Sequence, residues 1–313
     1  MAGLRIVCVG ECMAELAPAA GGLLRQGFAG DTFNTAWYLR RCLPAHWQVD
    51  YLTAVGDDAL SHRMTAFIAG AGIGTAHVAC QPGTTVGLYL ITLNNGERSF
   101  TYWRGQSAAR QLAVSPQRLL QGLNEAAAVV FSGITLAILD AEGRANLAQA
   151  LAVTRAAGAI VVFDPNMRRQ LWPDAQALRA AVTFAAVEAD IVLPSFDEDQ
   201  AVFGDHDPAA TLTRYRSLGA PTVVVKNGAG VVLGWDGALH RHAPAALRPV
   251  DTTAAGDSFN AGFLAAHLTG ASLPAAMAQG AALAGQVILH PGALVPVDPP
   301  FHLAEISHGG PGV

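Results

Sequence analysis

The densest chemistry of the chain lies in Asp251-Thr252-Thr253-Ala254-Ala255-Gly256-Asp257-Ser258-Phe259-Asn260. Two alanines and a glycine run straight into an aspartate. The pattern predicts an amphipathic helix from there, with Phe259, Gly262, Phe263 and Ala266 on its inner face and Gly270 as its stop. The first N–H groups of a helix lack internal partners and carry positive partial charge. Ala254, Ala255 and Gly256 have no bulk to hold an anion away from them. Backbone alone can then form a phosphate or oxyanion hole. Asp257 sets a carboxylate beside it. A base next to an anion hole suits phosphoryl transfer to a hydroxyl: the base takes the alcohol proton while the N–H groups hold the phosphate charge. For a bare Gly-Asp pair, a capped helix after a turn is the plain alternative.

Lys226 is the only lysine of the chain and closes the run Val223-Val224-Val225 before Asn227-Gly228-Ala229-Gly230. A compact, flexible charge there suits phosphate oxygens. No G-x-x-x-x-G-K-[ST] string occurs, and Gly70-Ala71-Gly72-Ile73-Gly74 lacks the last glycine of a dinucleotide fingerprint. A nucleotide would therefore fall to Lys226 and the Asp257 segment. His240-Arg241-His242 follows an Asp-Gly turn and reads as a surface strand rather than a metal site.

These residues need elements to hold them. Apolar runs at Ile6–Val9, Val49–Val55, Val129–Ser132, Ala159–Asp164, Asp190–Pro194 and Thr222–Lys226 predict strands buried on both faces. Between them lie the helical stretches Phe33–Cys42, Ala59–Ala69, Ala141–Ala157 and Ala175–Val187, with Gly70 and Gly158 at C-terminal cap positions. The alternation predicts a three-layer α/β/α domain on a mainly parallel sheet. Thr85–Leu93 and Arg98–Trp103, around Asn94-Asn95-Gly96, predict a hairpin. Its polar and aromatic side chains suit a lid; an edge hairpin of the main sheet is the alternative. Residues 307–313 read as a frayed tail.

The full Asp257 string resembles the C-terminal signature of the ribokinase-like, PfkB-type carbohydrate kinases. Phe28-Ala29-Gly30-Asp31-Thr32-Phe33-Asn34-Thr35-Ala36 is similar to the family's N-terminal signature. The likeness covers nearly the whole chain. It sharpens toward the 2-keto-3-deoxygluconate kinases through Gly10 to Leu16, Gly87-Leu88-Tyr89, Tyr102-Trp103-Arg104, Ser132-Gly133-Ile134, Asp164 to Arg168 and Leu171-Trp172. The resemblance implies one kinase domain over residues 1–313, with a β-strand lid from about 13–33 and 85–106. It implies Asp257 as catalytic base and Ala254 to Gly256 as the anion hole. It places the sugar at Gly30, Asp31, Asn34, Tyr89, Tyr102, Arg104 and Arg168. ATP falls to Asn166, Arg168, Ser195, Lys226, Gly228, Gly230 and the Asp257 loop. Mg²⁺ would be ordered through water by Glu198; Ser195 stands where the family usually has Asn. A monovalent cation, K⁺, would sit near Asp251 and Thr253. Glu198, with Asp197 and Asp199, could also be a solvated acidic cluster at a helix start.

The expected reaction is ATP-dependent phosphorylation of 2-keto-3-deoxygluconate at its 6-hydroxyl. Two arginines suit that sugar's carboxylate, because guanidinium offers carboxylates a planar fork. Ribokinases and fructokinases usually carry an Asp-rich pattern near the first strand for neutral sugar hydroxyls; this chain has Glu11 and Glu15. A kinase of a neutral sugar or other sugar acid, or a catalytically idle sugar binder, are the alternatives. The intact loop argues against the idle binder, which needs no base.

Composition sets the remaining bounds. The 313 residues carry a net charge of −5, which indicates no nucleic-acid surface. Cys8, Cys12, Cys42 and Cys80 form no C-x-x-C pair and read as free thiols of a reducing cytoplasm. Ile6–Val9 is too short for a signal-peptide core. Ser258 to Val297 lacks Asp, Glu, Lys and Arg, but Gly270, Pro274, Gln279 and His290-Pro291 interrupt it. Two buried helices, not a membrane span, are expected. The partners expected are a small sugar acid, ATP and further copies of the chain.

Overall fold

A computed structural model describes residues 4–94 and 97–297. The Asn95-Gly96 turn and the expected tail at 307–313 lie outside the described residues. In chain order the strands are β1 (Arg5–Val9), β2 (Met13–Pro18), β3 (Leu24–Ala29), β4 (Gln48–Val55), β5 (Val78–Cys80), β6 (Leu88–Asn94), β7 (Glu97–Trp103), β8 (Ala128–Ser132), β9 (Ile160–Asp164), β10 (Ile191–Val192), β11 (Thr222–Val225), β12 (Val232–Trp235) and β13 (Leu239–His242). The α-helices are α1 (Asp31–Cys42), α2 (Ala59–Gly70), α3 (Pro116–Leu123), α4 (Gly133–Ile138), α5 (Ala141–Ala156), α6 (Ala175–Glu188), α7 (Phe196–Phe203), α8 (Pro208–Ser217), α9 (Ala255–Leu268) and α10 (Leu273–Val287).

The large sheet runs β13-β12-β11-β10-β9-β8-β1-β4-β5. From β5 through β11 every pairing is parallel; β12 and β13 add antiparallel strands at one edge. Successive strand residues point to opposite faces, and the two cores show it. Ile6, Cys8 and Val162 pack with Phe33, Tyr38, Phe263 and Met277 of α1, α9 and α10. Val7, Val9 and Phe163 pack on the other face with Leu119, Leu147, Val182 and Tyr215 of α3, α5, α6 and α8. Both faces are covered, which is why the strands read as continuous apolar runs.

The charge-free stretch forms α9 and α10, which cross closely because of two glycines. A Cβ on Gly262 would lie 2.9 Å from Gln279 O, and one on Gly280 2.8 Å from Phe259 O. No helix among the described residues is long and apolar enough to cross a membrane. Gly158 caps α5 with a left-handed φ of 98°; after α2 that conformation falls at Gly72, not at Gly70.

The predicted hairpin, β6 and β7, is not an edge of the large sheet. It belongs to a second sheet of order β3-β2-β6-β7, in which β2 and β6 are parallel and the outer pairs antiparallel. This small sheet stands over the C-terminal ends of the parallel strands, where open α/β sheets bind ligands.

Candidate active site

The segments that follow β8, β9, β10 and β11, the start of α9 and the small sheet line a cleft of about 1160 Å³. One end is polar and acidic. The other is walled by Val232, Leu247, Ala281, Ala284 and Leu289.

Asp257 lies in the first turn of α9. Ala254 precedes it at φ 59°, a left-handed conformation costly for a residue with a Cβ. That turn aims the helix start at the cleft. Ala255 N–H donates back to Thr252 O at 3.2 Å, so Ala255 is not an open donor of the hole. Among the described residues, no acceptor takes the N–H groups of Gly256 and Asp257. Ala254 N–H likewise finds no acceptor among the described residues, so Ala255 is the one of the three expected donors that is closed.

The Asp257 carboxylate accepts Asn34 Nδ2 at 2.8 Å, and Asn34 Oδ1 accepts Gly30 N–H at 3.3 Å. Asn34 thus holds the aspartate, with one N–H and one lone pair of its amide not used by these bonds. Burial pushes the Asp257 carboxyl up to about 8, and the nearby Asp31 and Asp164 carboxylates add to it, against Asn34 and Lys226. Asp31 is itself raised by burial and accepts Asn166 Nδ2 at 2.7 Å. Asn166 sits at φ 28° just after β9, a conformation Asn tolerates better than most residues.

Lys226 lines the cleft with its ammonium already tied to the protein. Its Nζ donates to Asp164 Oδ2 and Asn260 Oδ1, each at 3.1 Å, and Asn260 Nδ2 donates to the same Asp164 oxygen at 2.6 Å. The ammonium lies 3.6 Å from where a Cβ on Gly256 would be. It is a buried charge beside the first turn of α9. Sequence reasoning did not single out Asn260, although it lies one helical turn after Asp257.

The arginines are also anchored. Arg104 is ion-paired with Glu11, and Arg168 with Glu198, whose other oxygen accepts Met167 N–H at 2.9 Å. Tyr89 gives its hydroxyl to Glu15 at 2.5 Å, and its ring stands 5.9 Å from that of Tyr102. Burial raises the Glu198 carboxyl, with Arg168 opposing. The acidic cluster at the start of α7 is not solvated throughout. Asp199 is fully buried under Arg214 and Tyr215, while Asp197 and Glu198 line the cleft.

Gly30, Asp31, Asn34, Tyr89, Tyr102, Arg104, Asn166, Arg168, Ser195, Glu198, Lys226, Gly228, Asp251, Thr253 and Ala254 to Asp257 all line this cleft. Gly230 does not. Its N–H closes a turn onto Asn227 O at 2.7 Å, so it shapes the loop instead of facing a ligand.

The cations can be tested against the donors present. No group of three or more His, Cys, Asp or Glu that could hold a metal occurs among the described residues. Glu198 and Asp164 near one another still fit Mg²⁺, which takes one or two carboxylates plus substrate phosphates. Asp251 Oδ1 accepts the N–H and hydroxyl of Thr253, and its Oδ2 accepts Gly292 N–H. Hard oxygen donors are present there, in a hydrogen-bonded turn. His240 bonds Asp236 at 2.8 Å on the outer strand β13.

A carboxylate held near its proton-exchange range, open helix N–H groups and a fixed ammonium beside them can move a phosphoryl group. Residues 4–299 match the pfkB family carbohydrate kinase. The chain belongs to this family. It is 38% identical over 299 residues to the 2-dehydro-3-deoxygluconokinase of Haemophilus influenzae, across 93% of this chain and 95% of that one. The crystal structure of 2-dehydro-3-deoxygluconokinase from Thermotoga maritima superposes with a TM-score of 0.82 at 21% identity, covering 94% of this chain and 96% of that one. Fructokinase with bound ATP from Xylella fastidiosa gives 0.81 at 22% identity, over 93% and 94%. At such identities the two structures show a shared fold. In this family member, the start of α9 and side chains of the small sheet line one cleft.

Proposed function

We propose that this pfkB kinase transfers the γ-phosphoryl group of ATP to the 6-hydroxyl of 2-keto-3-deoxygluconate, giving the 6-phosphate and ADP. The observation that carries it is the Asp257 carboxylate beside the open N–H groups of α9, at the junction of a polar and an apolar end of one cleft. The relatives' names supply the sugar acid.

Asp257 takes the hydroxyl proton as that oxygen bonds to the γ-phosphorus. The bond from phosphorus to the β–γ bridging oxygen breaks, and ADP leaves with its electron pair. Gly256 and Asp257 N–H groups hold the transferring oxygens, with Lys226 charge beside them. Arg104 and Arg168 face the sugar's carboxylate. Purine and ribose lie toward Gly228 and the wall of Leu247 and Ala281. Glu198 would help to hold Mg²⁺ through water, and the ion would supply neutralisation of the phosphate charge. K⁺ near Asp251 and Thr253 belongs to the same proposal. ADP release measured over a panel of sugar acids and neutral sugars tests the reading. Equal use of fructose or ribose sinks it in favour of a neutral-sugar kinase.

Lys226→Ala should raise the apparent constant for ATP several-fold more than that for the sugar, because the charge it removes lies beside the phosphate end. An unchanged ATP constant, with only a lower melting temperature, would reduce Lys226 to a strut for Asp164.

The small sheet should act as a lid. Tyr102 and Phe100 are partly exposed on β7, and Tyr102 lines the cleft. A sugar gives them something to close on, and closure excludes water that could hydrolyse ATP. Amide exchange in β6 and β7 should slow when the sugar acid is added. Equal protection with and without it would make the sheet a fixed wall.

A further inference from the structure

Glu11 and Glu15 occupy the place where neutral-sugar kinases carry acids for hydroxyls, yet neither lines the cleft. Both are buried behind it. Glu11 accepts an N–H of Arg104 and the hydroxyl of Ser107. Glu15 accepts the hydroxyl of Tyr89. The two acids hold Arg104 and Tyr89, two of the three polar side chains that this region brings to the cleft.

The Glu11 contact is built into the packing. A Cβ on Gly87 would lie 2.8 Å from Glu11 Oε1 and 3.3 Å from Arg104 Cβ, so only glycine leaves room for the pair. A Cβ on Gly30 would lie 2.1 Å from Glu11 O, which locks the backbone at the same point. The Glu11 side chain is 0% exposed and that of Arg104 is 10% exposed. Arg104 Nε is buried without a hydrogen-bond partner, on a residue that lines the cleft. A guanidinium has five N–H donors in a rigid fork. Here one terminal nitrogen is tied from behind, and Nε is buried with no partner among the described residues. The part of the fork that lines the cleft is left for an anionic acceptor.

We infer that Glu11 is a positioning residue for substrate choice: it holds Arg104 from behind so that the guanidinium meets the carboxylate of an acidic sugar. The inference rests on the sugar-acid reading above. A free arginine would have to be ordered on binding; one held by Glu11 and Ser107 is ordered on folding. Glu11 also lets a buried guanidinium keep its charge without substrate. A neutral sugar gains nothing from this arrangement.

The test is steady-state kinetics of Glu11→Gln, Arg104→Ala and the double variant, with 2-keto-3-deoxygluconate and with fructose. Glu11→Gln should raise KM for the acid about tenfold while kcat, the ATP constant and fructose kinetics stay within about threefold, as expected for a weakened charge-assisted bond. The double variant should be no worse than Arg104→Ala, since both changes act through one guanidinium. Ser107→Ala removes one of the two holds on Glu11 and should shift the same constant by less. It serves as the readout where Glu11→Gln does not fold. Losses that multiply in the double variant, or an unchanged acid KM in a folded Glu11→Gln or in Ser107→Ala, overturn the inference. A wild type that prefers the acid beside an unaffected Glu11→Gln sinks this inference alone. A wild type that uses fructose equally well sinks the sugar-acid reading, and this inference with it.

Discussion

Asp257→Asn should lower kcat by about 10²–10⁴-fold, the usual worth of general-base catalysis, while the fold and ATP binding persist. The amide is nearly isosteric and can still accept the Asn34 N–H, but it cannot take the hydroxyl proton. The pH dependence follows from the same environment. Asp257 acts only when ionised, and burial with Asp31 beside it places its proton loss at about 8. In the wild type, kcat/KM should rise with pH and level off above that point; in the variant this limb should vanish. Loss of less than about tenfold, with no change of rate-limiting step, would remove Asp257 from the base role.

Stability should move the other way. The folded state keeps the Asp257 proton up to about pH 8, whereas an unfolded aspartate loses it near 4. Across that window the folded chain binds more protons than the unfolded one, so stability is lost as pH rises. Asp257→Asn has no such charge to bury. It should melt above the wild type at pH 8, with the gap closing toward pH 4. A variant that melts lower at pH 8 would mean that the carboxylate is well solvated or paired in the folded chain. Activity and stability then pull against one another at this position, as they do where a charge is kept unsolvated for chemistry.

The readable features of the chain were the local ones. The parallel strands show themselves because burial on both faces leaves no polar alternation, and Val7 and Cys8 go to opposite cores from neighbouring positions. The helix at Asp257 shows itself because small residues, base and apolar face are contiguous. What the sequence hides is pairing across distance. Asn34 and Asp257 are 223 positions apart, and nothing near either announces the bond. Lys226 stands out as a lone lysine, but its ties to Asp164 and Asn260, 62 and 34 positions away, do not. Asp199 sits in an acidic run that looks solvated; Arg214 and Tyr215 arrive from α8 to bury it. Glu11 and Glu15 stand near the first strand with no partner legible nearby, and the small sheet brings Arg104 and Tyr89 against them. Of the edge strands, β13 was legible only as the surface strand His240–His242, and β12 was not predicted. They are four residues each, and β13 alternates exposed with half-buried positions, too short a signal to stand out.

Substrate choice should rest on charge at the acid end of the sugar. Arg104→Ala and Arg168→Ala should each cost about tenfold to hundredfold in kcat/KM for 2-keto-3-deoxygluconate, since a hydrogen bond to a charged group is worth roughly 1.5–3 kcal/mol. A neutral analogue with the ring and terminal hydroxyl should lose far less, because it never made those bonds. The two variants should also differ from one another. Arg104 is enclosed and paired with Glu11 at the edge of the small sheet, away from Glu198. Its loss should fall on the sugar acid alone. The Arg168 side chain is 46% exposed and paired with Glu198, so its removal also leaves that carboxylate without its cation. Arg168→Ala should therefore disturb the ATP and Mg²⁺ constants as well, and Arg104→Ala should not. General damage to the cleft would hurt acid and neutral substrates alike. If both variants lose the two activities equally, the carboxylate is not what the arginines read, and a kinase of neutral sugars takes the place of the sugar-acid kinase.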